Sequence, residues 1–338
     1  MKKYLVTGAT GFLGRAVVAE LLSQDAEVVA LVLPDDPLAA DLPKGVTVVG
    51  GNVCDKASLA PFFQYADSDT CVIHCAGIVS IASQPDKQLY SVNVDGTANV
   101  ILMCHAAKIA KLVYVSSVHA IPEAPPGITT TEPEAISPAL VRGHYAKSKA
   151  AATGLVKAAV KYGLNASCVF PSGIIGPGDR QEGSFTHMLR SFLAGRLPLA
   201  VRGGYDFVDV RDAAEGIVSC AKLGKAGGSY ILSGHYATIR EVLELVKQEG
   251  AVKRAVRCLP IRIAKLIAPA YERSSLRKSK PLYFTPYSVD VLASNGLFSH
   301  GAATAAFGYE PRPLRETLQD TVLWLRVPAD GRKLPENA

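Results

Sequence analysis

The feature that most narrows what this chain can fold into is eight residues long and sits at its start. Thr7-Gly8-Ala9-Thr10-Gly11-Phe12-Leu13-Gly14 joins a short apolar run, 4–6, to an amphipathic stretch that begins at Phe12. Three glycines in a G-x-x-G-x-x-G spacing allow a tight turn, a close approach of backbone to a pyrophosphate, and close packing of helix on strand. The free N–H groups and the positive end of the helix dipole then face the phosphates. The spacing is one residue wider at its start than the common dinucleotide fingerprint. Its context, strand before and helix after, favours dinucleotide binding over a purely structural turn. The expected contacts from this turn are Gly8, Thr10, Gly11, Phe12, Leu13 and Gly14.

The rest of the first half keeps the same alternation. Apolar runs at 4–6, 28–33, 46–49, 71–75, 112–115 and 166–170 read as buried parallel strands. Helical patterns at 12–22, 87–107 and 145–161 fall between them. The fold class is therefore α/β: a doubly wound parallel sheet of the Rossmann type, with a smaller, mainly helical C-terminal lobe that shapes a substrate pocket. Residues 1–172 form the dinucleotide-binding domain, with 205–233 returning to it, and 173–204 and 234–330 form the substrate lobe. Residues 173–183, rich in Gly, Pro and Asp, read as loop, 205–210 and 230–232 as strands, and 185–193, 212–222, 238–248 and 314–325 as helices.

A second motif carries chemistry. Tyr145-Ala146-Lys147-Ser148-Lys149 puts a phenol and an ammonium four residues apart, on one face of a helix. A phenol with pKa near ~10 is a poor acid or base at neutral pH. A neighbouring ammonium and an oxidised nicotinamide are expected to lower that pKa. Alone, the pair reads equally as a surface feature. Val113-Tyr114-Val115-Ser116-Ser117 ends an apolar strand, where open α/β sheets bind ligands, and a hydroxyl there can hold a substrate oxygen. Together these predict a Ser117–Tyr145–Lys149 site for hydride transfer between an alcohol and a carbonyl, with no metal. Lys149 also serves to hold the nicotinamide ribose. Past Leu33 the second strand runs into Pro34-Asp35-Asp36, with no cation before Lys44. A carboxylate there suits the ribose hydroxyls, so NAD is expected, with NADP as the alternative.

Composition removes several other classes. Among 338 residues, 49% are hydrophobic and 20% charged, which suits a large core and argues against disorder. No run approaches the ~20 apolar residues of a spanning helix, and no leader precedes the first strand, so the cytoplasm is the expected location. The seven cysteines form no C-x-x-C pair and read as buried, reduced thiols. The net charge of +6 is uneven: 251–281 carries nine Lys/Arg against the single acid Glu272. A local rather than global excess argues against nucleic acid. Within it, 259–280 is a candidate for an amphipathic helix that touches a membrane surface, against the plainer reading of a pocket-covering helix with solvated cations.

The motifs together resemble the extended short-chain dehydrogenase/reductases, the NAD-dependent epimerase/dehydratase superfamily. The resemblance runs through the glycine turn, Gly51-Asn52-Val53, His74-Cys75-Ala76-Gly77, Asn93-Val94-Asp95-Gly96-Thr97, Ser116-Ser117, Tyr145 to Lys149, Pro171-Ser172-Gly173-Ile174-Ile175-Gly176-Pro177-Gly178 and Phe207-Val208-Asp209-Val210-Arg211-Asp212. It implies that Asn52 and Val53 flank the adenine, with Asn52 replacing a common Asp. It implies that Cys75, Ala76 and Gly77 line the cofactor cleft with Leu33, Pro171, Ser172 and Ile174. Asn93 would support the active-site helix beside the cofactor. Relatives acting on sugar nucleotides carry an Arg near position 205 and, in dehydratases, an acid after the serine. Here Tyr205 and Val118 stand instead. The chain is thus more similar to the dihydroflavonol-reductase and 3β-hydroxysteroid-dehydrogenase branch, which implies a hydrophobic small-molecule substrate near Ile78, Ser80, His119, Ser172 and Phe185. A nucleotide-sugar epimerase or dehydratase and a non-catalytic cofactor-binding regulator are the alternatives. A homodimer is expected by analogy.

Overall fold

The computed structural model describes residues 2–197, 199–253, 255–278 and 282–327. Arg254, Lys280 and Pro281 of the basic segment, and 328–330 of the expected lobe, lie outside them. In chain order the first half runs β1 (Lys3–Thr7), α1 (Phe12–Ser23), β2 (Glu27–Val32), β3 (Val46–Gly50), α2 (Ala60–Phe63), β4 (Cys71–His74), α3 (Lys87–Tyr90), α4 (Gly96–Ala107), β5 (Lys111–Val115), α5 (His144–Lys161) and β6 (Ala166–Pro171). The second half runs β7 (Gly173–Ile175), α6 (Ser184–Leu193), β8 (Ala200–Val201), β9 (Gly204–Asp209), α7 (Val210–Leu223), β10 (Ser229–Leu232), β11 (His235–Thr238), α8 (Ile239–Glu249), β12 (Cys258–Leu259), α9 (Ile261–Arg277), α10 (Pro286–Ala293), α11 (Gly301–Phe307) and α12 (Leu314–Arg326).

Side chains alternate across a strand, so each buried strand feeds two cores. In β1, Leu5 points to a core built with Val29, Val72 and Leu112 and covered by Val100 and Cys104 of α4 and Ala150 and Val156 of α5. Tyr4 and Val6 point the other way, onto Val17, Val18 and Leu21 of α1 and Ala213, Ile217 and Val218 of α7. Helices on both faces make a doubly wound sheet of seven parallel strands, in the order β10-β6-β5-β4-β1-β2-β3. The strand order reverses between β1 and β4, which opens a crevice at the C-terminal ends of the strands. A buried histidine fastens that point. His74 meets the Thr7 hydroxyl at 2.7 Å and the Thr97 hydroxyl at 3.1 Å, tying β4 to β1 and to α4. Burial holds its pKa down to about 3, so the ring is neutral.

The C-terminal part packs over the crevice around its own core of Leu189, Phe192, Phe207, Val242, Leu243 and Leu318. Within 205–233, α7 packs on α1 and β10 forms the edge of the large sheet. β9 instead pairs with β7 and β11 in a separate three-stranded sheet. Three expectations need correction. The run 46–49 is a strand but not a buried one, because β3 is the edge of the large sheet and its residues are half-buried or exposed. Residues 173–175 are strand, because Gly173, Ile174 and Ile175 pair in parallel with Phe207, Val208 and Asp209. The helix expected over 87–107 is interrupted by a π-helical turn at Ser91–Asp95, which places Asn93 inward. The Phe207–Asp212 motif is structural: Asp209 caps α7 through the Arg211 N–H (2.8 Å), and Arg312 grips Asp212 through its backbone N–H (2.8 Å) and its Nε (2.7 Å).

Candidate active site

The glycine turn is shaped by close backbone packing. Gly8 has φ +70°, and a Cβ on it would lie 2.7 Å from the Ala76 nitrogen. A Cβ on Gly14 would lie 2.0 Å from the Gly8 carbonyl oxygen. Bulk at either position would push α1 or the 75–77 loop away from the turn. No side chain caps α1, so the N–H groups of its first turn are left for a ligand. Beyond β2, Asp36 lines the cavity and accepts from the Thr10 hydroxyl at 2.7 Å and from the Leu38 N–H at 2.9 Å. Of the two acids after Pro34, it is Asp36 that turns to the cleft. These features fit a dinucleotide: a cradle that side chains would fill, an uncapped helix end, and a carboxylate where ribose hydroxyls would need an acceptor.

The turn opens into one continuous cavity of about 2370 Å³. Drug-sized ligands sit in pockets of roughly 300–1,000 Å³, so this volume holds a dinucleotide and a second organic molecule together. Its wall includes Gly8, Thr10, Gly11, Phe12, Leu13, Gly14, Leu33, Asn52, Val53, Cys75, Ala76, Gly77, Pro171, Ser172 and Ile174 on the expected cofactor side. Ser117, Tyr145 and Lys149 line it, as do Ile78, Ser80, His119 and Phe185. Asn93 is the exception and is absent from the wall. Its side chain is spent on protein: it accepts from the Ile78 N–H (2.8 Å) and donates to the Ile78 carbonyl and the Ser148 hydroxyl (both 3.0 Å). It therefore pins the 75–78 loop to α5, a supporting position rather than a cofactor contact.

Tyr145 and Lys149 lie one turn apart on α5 and are buried. Lys149 Nζ donates to the Val115 carbonyl at 2.8 Å, at the end of β5, and stands over the Tyr114 ring at 5.2 Å. A Cβ on Gly77 would be 3.2 Å from it, so the ammonium faces the cleft beside that glycine. Burial lowers its pKa to about 8. Ser117 lies two residues past the end of β5 and caps the turn after it by accepting from the His119 N–H (3.3 Å). The expected lowering of the Tyr145 pKa is reversed in the free protein. Burial pushes the phenol up to about 12, and a hydrogen bond with Ser117 only partly offsets this. The phenol is thus protonated at neutral pH.

Two tyrosines complete the site: Tyr205, which the sequence marked only as standing in place of a clamping Arg, and Tyr287, which it did not connect to the site. Tyr205 on β9 and Tyr287 on α10 both reach His119, at 2.9 Å and 3.1 Å. His119 also meets the Tyr145 ring edge-on, with centroids 5.7 Å apart. Burial lowers the His119 pKa to about 4. The remaining wall is mixed: Phe185, Phe207, Phe284 and Val291 supply apolar surface, and Asp179, Gln181, Thr186 and Ser191 supply polar groups. Among the described residues, the Lys and Arg side chains on the wall are Lys87, Lys149 and Arg196.

Comparison with known proteins agrees with this geometry. A family model described as NAD dependent epimerase/dehydratase family matches residues 4–233. Sterol demethylase protein B of Methylococcus capsulatus is 27% identical over 325 residues, covering 95% of this chain and 98% of that protein. The dTDP-6-deoxy-L-talose 4-dehydrogenase (NAD(P)(+)) of Kitasatospora kifunensis is 30% identical over 278 residues, covering 75% and 81%. The crystal structure of gox2253 superposes with a TM-score of 0.82 at 29% identity, covering 99% of this chain and 100% of that one.

Proposed function

The chain belongs to the NAD-dependent epimerase/dehydratase family, and we propose that it moves a hydride between the nicotinamide and a secondary alcohol/ketone pair, or an aldehyde, on a hydrophobic, ring-containing substrate. The observation that carries this reading is the apolar and aromatic surface that Ile78, Phe185, Phe207 and Phe284 give to the cavity into which Tyr145 opens. A bound nicotinamide supplies or takes the hydride. Tyr145 gives its proton to the carbonyl oxygen during reduction and recovers one from solvent afterwards. Ser117 holds the same oxygen, so charge developing there meets two donors. Lys149, anchored by the Val115 carbonyl, keeps a cation beside the phenolate that forms and is placed to hold the cofactor ribose. With Tyr145 protonated at neutral pH, reduction is the direction for which the free site stands ready.

A sugar-nucleotide substrate is the competing reading, and the Kitasatospora relative is named for one. A diphosphate needs fixed positive charge, and Tyr205 stands where a clamping Arg would be. Val118 after Ser117 removes the acid that dehydration would use. A non-catalytic regulator is disfavoured by the intact Ser117, Tyr145 and Lys149. The test follows nicotinamide absorbance across hydroxysteroids, flavonoids and cyclic ketones alongside UDP- and dTDP-sugars. We expect turnover on the apolar set. Turnover confined to the sugars overturns the reading.

We also propose that α9 rests on an anionic membrane surface, from which an apolar substrate would enter. Ile263, Leu266, Ile267 and Tyr271 are exposed on it, Leu266 at 80%, and Ile267 and Tyr271 also line the cavity. Exposed Arg262, Arg273 and Arg277 border the stripe, while the helix's one acid, Glu272, is buried. Apolar tips with a cationic rim suit an interfacial helix. A second copy on the same face would oppose like charges, so any homodimer would use another surface. The chain should sediment with phosphatidylserine-containing vesicles and lose this with Leu266→Asp. Equal recovery with pure phosphatidylcholine, or no recovery with either, rejects it. Among the described residues no helix is long and apolar enough to cross a membrane.

A further inference from the structure

Three aromatic side chains from distant parts of the chain meet at His119, which touches the Tyr145 ring edge-on. His119, in the turn Val118–Ala120 just past Ser117, has its Nε2 2.9 Å from the Tyr205 hydroxyl and its Nδ1 3.1 Å from the Tyr287 hydroxyl. The imidazole also stacks on the Tyr205 ring, with centroids 5.6 Å apart and planes 19° from parallel. The backbone is fitted to this arrangement. Gly143, immediately before α5, has φ +87°, and a Cβ there would lie 2.3 Å from the Tyr287 ring. All three side chains, with Tyr145, line the cavity.

A neutral imidazole has one N–H and one bare nitrogen. Burial keeps His119 in that form at neutral pH. One phenol must then donate its O–H to the bare nitrogen, while the other accepts the N–H. The accepting phenol keeps its own O–H, and the donating phenol keeps oxygen lone pairs. Among the described residues, His119 is the hydrogen-bond partner of both phenols. The string thus offers the cavity one donor and one acceptor, and a change of imidazole tautomer exchanges them. Unspent polar groups on half-buried side chains of a cavity wall favour an occupant that supplies the missing partner. The nearby charges felt by these phenols are acidic: Asp206 and Glu123 at Tyr205, and Glu123 at Tyr287. An anionic group would be repelled there, whereas a neutral oxygen would not.

We propose that Tyr205, His119 and Tyr287 form a substrate-reading string that binds a second, neutral oxygen function, so that the favoured substrate is a diketone or hydroxyketone on an apolar frame rather than a ketone with one oxygen. This deepens the hydride-transfer reading and rests on it. Tyr205 and Tyr287 select and position; the proton still moves at Tyr145.

The test compares cyclohexanone with 1,2- and 1,4-cyclohexanedione in the presence of saturating NADH, reading kcat/KM for each. The wild type should favour at least one dione over cyclohexanone by tenfold or more, well beyond the factor of two from its second carbonyl. Tyr205→Phe and Tyr287→Phe each remove one oxygen and keep the ring, and NADH titration checks that each variant is folded. At least one of them should cut the dione preference fivefold or more, chiefly through KM. A wild-type preference within twofold, or one that survives in both variants, overturns the string while leaving ketone reduction standing. Failure of all three probes with an enzyme that binds NADH sinks the ketone-reduction reading, and this proposal with it.

Discussion

Gly14→Ala should damage the protein although helix propensity alone says it should help. Gly14 lies inside α1, where Ala is better than Gly by about 1 kcal/mol. Its added Cβ would sit 2.0 Å from the Gly8 carbonyl oxygen, 2.7 Å from the Gly8 carbonyl carbon and 3.0 Å from the Ala9 Cα. These are all backbone atoms of the turn, so no side chain can swing aside. Restoring an ordinary contact of 3.4 Å from 2.0 Å requires helix and turn to part by roughly 1.4 Å. Val17, Val18 and Leu21 of α1 are buried against the sheet, so that movement opens a packed core. Overpacking costs about 1–3 kcal/mol. With the propensity gain subtracted, a net loss of up to about 2 kcal/mol is expected. The same displacement carries the first-turn N–H groups out of hydrogen-bond reach of a pyrophosphate. A hydrogen bond to a charged group contributes about 1.5–3 kcal/mol, so NADH affinity should fall tenfold or more. Gly154→Ala is the control. It is also a helical glycine, in α5, but a Cβ there meets no atom within 4 Å, so stability should rise by up to about 1 kcal/mol. Urea unfolding and NADH titration of both variants decide the matter. Wild-type NADH affinity and undiminished stability in Gly14→Ala would refute the packing described for the turn.

Other outcomes follow from the same geometry. Tyr145→Phe should leave NADH affinity within about twofold and lower kcat for ketone reduction by ~10²-fold or more, the usual scale for losing a general acid; stopped-flow reduction at saturating substrate checks this, and full activity would contradict the proton assignment. Asp36→Asn keeps the oxygen that accepts from the Leu38 N–H but removes the charge facing the ribose end, so NADPH should gain on NADH by about tenfold, ~1.4 kcal/mol, in paired titrations. Ketone reduction should be level near pH 6–7 and fall as pH rises through about 8, where Lys149 loses its proton, while Tyr145 at about 12 stays a donor. Lys149→Arg should move that alkaline limb upward, and a profile flat to pH 10 would show that the ammonium is not needed.

The parallel sheet was legible because its inner strands bury both faces and so read as largely apolar runs, as at 112–115 and within Ala166–Pro171, whereas the edge strand β3 reads as apolar although most of it is exposed. The three groups proposed for catalysis were legible because each sits in a local pattern, the tyrosine and lysine by helical spacing and the serine by its place just past a strand end. Local patterns do not encode convergence from afar. Tyr287 lies 168 residues from His119 and Tyr205 lies 86 away, and no periodicity links them. The π turn that aims Asn93 at Ser148 leaves no mark in a pattern of period 3.6, so its support of the active-site helix was implied by the resemblance and not by the spacing. Gly173–Ile175 looked like loop because a three-residue strand flanked by glycine and proline carries too little apolar periodicity to register. The choice between Asp35 and Asp36 turned on the backbone: Asp35 adopts φ +63°, and the bend after Pro34 brings Asp36 to the Thr10 hydroxyl.

The most direct test of the account uses NADH carrying deuterium at the transferable position of C4, with whichever ketone the substrate panel reduces. Hydride transfer with Tyr145 as proton donor predicts one deuterium on the new carbinol carbon, one cofactor oxidised for each alcohol formed, and a hydroxyl proton from solvent. Product without deuterium, or product formed while the reduced cofactor is regenerated as an epimerase would regenerate it, would contradict the account.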